Sequence, residues 1–183
     1  METLFKQLSD TQASLLVLFH KTWAYHWNVV GSDFPQLHTL FGEQYTTMFE
    51  EIYRISEHMR FLNVKPLNSL ERVVEVSKIK TGQSTTDSHK MVEDLLKSNQ
   101  DFCNLLSECA EESDEQNSRG TSNLVDDLNE THGKFVWMLR SYLETSSTKV
   151  KEEVEEVEEE TIQEVENEIT EEIVEETIEE ELI

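Results

Sequence analysis

Two histidines, His26 and His38, stand on either side of Gly31 in a chain of 183 residues that holds six histidines in all. A lone histidine is ordinarily a core or surface residue. His20, His58, His89 and His132 take that reading, because no carboxylate array is obvious beside them. His26 and His38 differ, since a tight turn at Gly31 folds the segments that carry them together and lets the two imidazoles approach. Two imidazoles offered to one place are a metal-ligand signal. Carboxylates should complete such a set, because iron and manganese want oxygen donors beside nitrogen. Glu43, Glu50, Glu51 and Glu57 are the candidates on the second segment. His38 and Glu57 are nineteen residues apart, about 28 Å along a helix at about 1.5 Å per residue, so they cannot bind one ion within one chain. A site that uses both has to be built by two chains. Antiparallel two-fold packing of the second helix on its mate brings the His26/His38 end of one chain to the Glu57 end of the other, which makes two equivalent sites per dimer.

The elements that position these residues are helical. Five Gly and two Pro are too few for the turns of an all-β sandwich. Residues 3–29 carry Leu15, Leu16, Leu18, Phe19, Trp23, Trp27 and Val30 as a wide apolar stripe, and the helix ends near Gly31. Asp33 or Ser32 caps a second helix with Pro35 in its first turn, which runs to about Asn63. Pro66 stops it. Asn68-Ser69 caps a short helix to about Ile79, and Thr85, Thr86 or Asp87 caps a third long helix to about Glu112. Ser113 to Thr121, with Gly120, is the next break, and a fourth long helix follows through Leu124, Leu128, Phe135 and Leu139. A short first turn, a long second connection with its own helix and a short third turn predict an all-α, ferritin-like four-helix bundle with a short extra helix in the second connection.

Charge divides the chain. Lys and Arg number 15 against 39 Asp and Glu, a net −24. Residues 149–183 hold seventeen Glu and two Lys, so −15 sits there and −9 on residues 1–148. The expected organisation is a bundle domain over 1–148 and an acidic low-complexity tail over 149–183. The tail's apolar residues recur every three to five positions, whereas its β-branched residues and dense like charge oppose a helix, so it reads as disordered or marginally helical. No apolar run approaches the roughly 18 residues that cross a bilayer, and no signal peptide precedes the first helix, so the expectation is a cytoplasmic protein without a membrane partner. Cys103 and Cys109 lie about 240° apart around a helix, which excludes a bridge between them and leaves structural thiols. Structural zinc and thiol redox chemistry lack their patterns.

Several of these residues resemble a known family. The stretch His26-Trp27-Asn28-Val29-Val30-Gly31, followed by Phe34, Leu37-His38 and Phe41, and later by Ile55-Ser56-Glu57-His58, is similar to Dps, the ferritin-like mini-cage proteins called DNA-binding proteins from starved cells. Gly133 to Arg140 is similar to that family's last helix, and the likeness covers about residues 5–146 without the tail. It implies a dodecamer built from two-fold dimers that oxidises ferrous iron, usually with peroxide, at sites shared by two subunits and stores the ferric product. The family's two His ligands fall on His26 and His38 and its Glu ligand on Glu57. Its two Asp ligands fall on Gly42 and Tyr53. Tyr53 then serves as a weak phenol ligand, Glu50 one turn away substitutes, or the ferroxidase centre is weakened or dead. Acidic residues lining the family's iron pore have no counterpart in Ser118 to Asn123, although Asp126, Asp127 and Glu130 follow. Direct DNA binding is opposed by charge, since the N-terminus lacks a basic arm and twelve copies carry about −288. The other expectation is a shell or interaction protein that keeps the fold without oxidation and displays its acidic tails outward.

Overall fold

The computed structural model describes residues 1–145, which form five α-helices. They are α1 Glu2–Asn28, α2 Phe34–Phe61, α3 Leu70–Val76 and α4 Ser88–Glu115, with α5 over 119–145. The compact unit is Met1–Ser141, and residues 142–145 belong to a second unit. The tail read from the sequence lies outside the described residues.

Each long helix buries one stripe. Leu4, Leu8, Leu15 and Leu18 of α1 meet Leu37, Phe41, Met48, Ile55 and Met59 of α2, with Met91, Leu95, Phe102 and Leu106 of α4 and Val125, Leu128 and Leu139 of α5 completing the core. Spacings of three, four, seven and eleven place these residues on one face of each helix, and each is worth about 1.5–3 kcal/mol on burial. The α1–α2 turn spans 29–33, so the two helices are antiparallel. Residues 51, 54 and 58 of α2 bond to 132, 127 and 121 of α5, so that pair is antiparallel too. The long crossover between α2 and α4 carries α3, which packs on α1. This is the ferritin-like arrangement expected from the loop lengths.

Polar side chains of α1 satisfy the crossover's backbone. Gln12 Oε1 accepts from the N–H of Leu67, Ser14 Oγ from Lys78 and the Tyr25 hydroxyl oxygen from Gln83. Buried Lys21 pairs with Asp94 at 2.9 Å and Ser98 at 2.8 Å. Tyr25 donates to the same Asp94 at 2.6 Å, and its phenol is held well above its usual range, first by burial and then by that carboxylate.

The helix ends correct one expectation. Instead of a break from Ser113 to Thr121, α4 runs to Glu115 and α5 starts at 119, with Gly120 inside the helix. Asn117 supplies the turn at φ 56°, and Ser118 N–H reaches back to Ser113 O at 2.7 Å, the helix-ending pattern that usually employs glycine. Asn63, at φ 62°, ends α2 the same way, with Val64 N–H on Met59 O at 2.8 Å. Ser69 caps α3 and Asp87 caps α4 through its side chain. Both cysteines are free, Cys109 buried and Cys103 half-buried, as the sequence predicts; burial pushes the Cys109 thiol up to about 11.

Candidate metal centre

Gly31 adopts φ +104°, a backbone state that costs glycine little, and this turn lays the last turn of α1 on the start of α2. His26 and His38 meet there with ring centroids 3.7 Å apart and planes inclined by 22°. Their contact is reciprocal. His26 Nδ1 lies 2.7 Å from the main-chain oxygen of His38, and His38 Nδ1 lies 2.9 Å from that of His26. A carbonyl oxygen only accepts, so both Nδ1 atoms carry protons, and in the neutral form of each ring the lone pair is on Nε2. A metal ligand needs that tautomer, and a backbone carbonyl is a common partner for the other ring nitrogen. Trp27 stands edge-on to His26 at 4.8 Å, Tyr45 does so at 5.2 Å, and Phe34 lies 5.0 Å from His38.

Gly42 faces this pair. A Cβ there would stand 3.2 Å from His26 Cε1 and 3.3 Å from its Nδ1, so the missing side chain lets the imidazole approach helix α2 closely. The cost is an oxygen donor at the position where the family likeness expects one.

Glu57 lies far along the same helix. Tyr53 donates its hydroxyl to Glu57 Oε1 at 2.7 Å, and both residues are exposed. That hydrogen bond, and next the carboxylate's charge, raise the Tyr53 phenol above its usual value, with Glu50 adding a smaller push. Within one chain the structure therefore joins His26 to His38 and Tyr53 to Glu57 but not the two groups to each other. Among the described residues, no three His, Cys, Asp or Glu side chains converge on one point.

One stripe connects the two ends. His38, Gly42, Tyr45, Phe49, Tyr53 and Glu57 follow one another at three- and four-residue steps along α2. Trp23, Trp27, Phe41, Tyr45 and Phe49 are aromatic residues of α1 and α2. Phe41 is core, whereas Trp27 is 61% exposed, Phe49 60% and Tyr53 58%. Trp23 and Phe34 are exposed as well.

One buried cluster escaped the sequence reading. His132, fully buried, places Nδ1 2.7 Å from Asn99 Oδ1 and Nε2 3.1 Å from Glu51 Oε2. Asn99 gives its amide hydrogen to Leu95 O, which turns its oxygen to His132, so Nδ1 is a donor. A hydrogen bond between Nε2 and Glu51 Oε2 then needs a proton on one of those two atoms. Phe102 and Phe135 flank the ring edge-on. His132 is the core residue the sequence led one to expect, and a single carboxylate, Glu51, bonds it from 81 positions away. Its signal was a carboxylate on the apolar stripe of α2, three residues after Met48. The other three histidines are ordinary: His58 bonds Thr121 at 2.8 Å, His89 lies near Glu93, and His20 packs by Trp23. Asp127 pairs with Arg54.

Residues 5–149 match the ferritin-like domain family. A low temperature-induced protein of Nostoc sp., itself uncharacterized, is 33% identical over 139 residues, 75% of this chain and 78% of its own length. DNA protection during starvation protein 2 of Bacillus anthracis is 30% identical over 143 residues, covering 78% of this chain and 95% of the relative. The crystal structure of the Dps protein from Vibrio cholerae, described as a member of a broad superfamily of ferritin-like diiron-carboxylate proteins, superposes with a TM-score of 0.75 at 27% identity, over 78% of this chain and 89% of that one. The turn that pairs two imidazoles, the crossover bundle and these likenesses agree: the chain belongs to the Dps family of ferritin-like proteins.

Proposed function

We propose that this protein is an iron-binding cage subunit that oxidises ferrous iron with peroxide or oxygen and stores the ferric product, limiting oxidative damage. The observation that carries this reading is the reciprocal bonding of His26 and His38, which fixes both rings in the ligand tautomer. Iron is the substrate. His26 and His38 hold it through Nε2, and Glu57 of a second copy adds a carboxylate, while the aromatic rings around the pair keep water away. Each ferrous ion gives one electron to the oxidant. Tyr53 or Glu50 adds an oxygen donor beside Glu57, and Gly42 adds none, so the centre is weaker than a diiron site with its full carboxylate set.

The exposed stripe on α2 supports the second copy. Phe49 and Tyr53 lie between its two ends, and an antiparallel mate covers them while bringing Glu57 to the histidines. Two-fold dimers then build a dodecamer of twelve 21.4 kDa chains, about 257 kDa. Residues 1–148 form the shell, and 149–183 are a separate acidic tail that concentrates cations at low salt. The protein acts in the cytoplasm. The Bacillus anthracis relative is named for DNA protection, but the net −24 of each chain repels phosphate, so direct DNA contact forms no part of the proposal.

A second reading, a shell without oxidation, is favoured by Gly42 and by the Tyr53 hydroxyl already bonded to Glu57. Anaerobic ferrous titration followed by peroxide, read by absorbance of the ferric product, separates the two. The expected result is weak binding that requires His26, His38 and Glu57, and oxidation faster than buffer alone. A rate equal to autoxidation would leave the shell.

A further inference from the structure

Reducing peroxide to water takes two electrons, and one ferrous ion supplies one. Ferritin-like diiron sites gather four carboxylates and two histidines to hold two ions together. The family likeness expects three carboxylates and two histidines at this site, and Gly42 and Tyr53 stand in two of those carboxylate positions, so on the two-chain reading proposed above two imidazoles and Glu57 hold one ion at a time. A single ion meeting peroxide is one electron short. The other oxygen then leaves as hydroxyl radical unless a second donor stands within reach.

Tyr53 is such a donor. A phenol gives up an electron readily when its proton has somewhere to go, and the Tyr53 hydroxyl already donates to Glu57 Oε1 at 2.7 Å. Tyr45 and Trp27 also stand beside the histidines. Neither gives a hydrogen to a carboxylate among the described residues. Tyr53 is exposed on its own chain and sits one helical turn from Glu57, so whatever brings Glu57 to the histidines brings Tyr53 with it.

We infer that Tyr53 is a redox-active residue of the shared centre, supplying the second electron for each peroxide; this rests on the two-chain iron site proposed above. The oxygen–oxygen bond breaks. One oxygen leaves as hydroxide with the electron from iron. The other leaves as water, taking an electron from the Tyr53 ring and, by way of Glu57, the hydrogen of its hydroxyl. Ferric iron and a neutral phenoxyl radical remain, and the sum of one ferrous ion, one peroxide and one phenol is conserved in atoms and charge.

The test uses the assembled full-length protein, loaded anaerobically with ferrous iron, mixed with hydrogen peroxide and frozen for electron paramagnetic resonance. A tyrosyl signal is expected whose hyperfine pattern collapses when the protein carries ring-deuterated tyrosine. Tyr53→Phe should lose the signal and release more spin-trapped hydroxyl radical per iron. A signal that persists in Tyr53→Phe, or no signal from native protein whose titration shows bound iron, would overturn the role of Tyr53 and leave the iron site standing. A titration that shows no iron bound at His26 and His38 would overturn both.

Discussion

Replacing Tyr53 by aspartate returns a carboxylate to the position one turn before Glu57 and removes the hydroxyl now held on Glu57 Oε1. Both changes act in the same direction. The second oxygen of Glu57 becomes available to metal, and the donor set gains a unit of negative charge. A unit negative charge about 4 Å from a dication raises affinity by a factor of about thirty even at the dielectric of bulk water, and by more at the effective dielectric of a protein surface. Because residues 53 and 57 are both exposed on the single chain, the lower figure is the one to expect. Tyr53→Asp should therefore bind ferrous iron about thirtyfold tighter in anaerobic competition with a chromophoric chelator, and peroxide-driven ferric absorbance should rise faster. Adding His38→Ala should cancel the gain, since the new carboxylate alone does not replace a nitrogen ligand. If Tyr53→Asp alters neither affinity nor rate while light scattering shows an unchanged assembly, then His26, His38 and Glu57 do not form a metal centre.

Elsewhere the structure makes further expectations. Glu51→Leu or His132→Leu alone should cost about 3–5 kcal/mol in urea unfolding, because each strands a buried partner, whereas the double replacement should come close to neutral; equal and additive losses would contradict the pairing. Gln44 is fully buried on α2 and neither of its amide atoms finds a partner among the described residues, so Gln44→Met should stabilise the fold by about 1–3 kcal/mol on the same assay. Burial lowers the pKa of His58, so the unfolded chain takes up its proton first. That contribution is complete above the ordinary histidine value of about 6.5 and is lost as pH falls below it, and His58→Gln should flatten the acid side of the stability profile. Trp27→Glu combined with Phe49→Glu should shift light scattering toward the 21.4 kDa monomer without unfolding it, since neither ring belongs to the core.

Much of the architecture could be read from the residues because it is set by local chemistry. Gly31, Pro35 and Pro66 mark the turns, the caps at Ser69 and Asp87 were among the candidates, and apolar periodicity marks the long helices. The approach of His26 to His38 was legible too, since it follows from one turn between two helices. The misreadings have a different origin. Ser113 to Thr121 looked like a loop because it holds two Ser, an Asp, an Asn and a Gly without an apolar residue, yet Asn117 in the left-handed region completes a turn of three residues, and 113–115 and 119–121 belong to the helices on either side. Trp27 and Phe49 share a periodic stripe with true core residues, and periodicity alone does not say whether a stripe faces its own chain or another. Glu51 and His132 meet across 81 positions, a pairing that only the packing of α2 against α5 creates.

The three bonds by which Gln12, Ser14 and Tyr25 hold the backbone of the crossover tie the longest connection in the bundle to its first helix. Those amide hydrogens are shielded by side chains rooted in α1, not by the crossover's own short helix. Solvent deuterium should therefore enter at residues 67, 78 and 83 only when these bonds to α1 open, more slowly than at the unbonded amides of a surface loop.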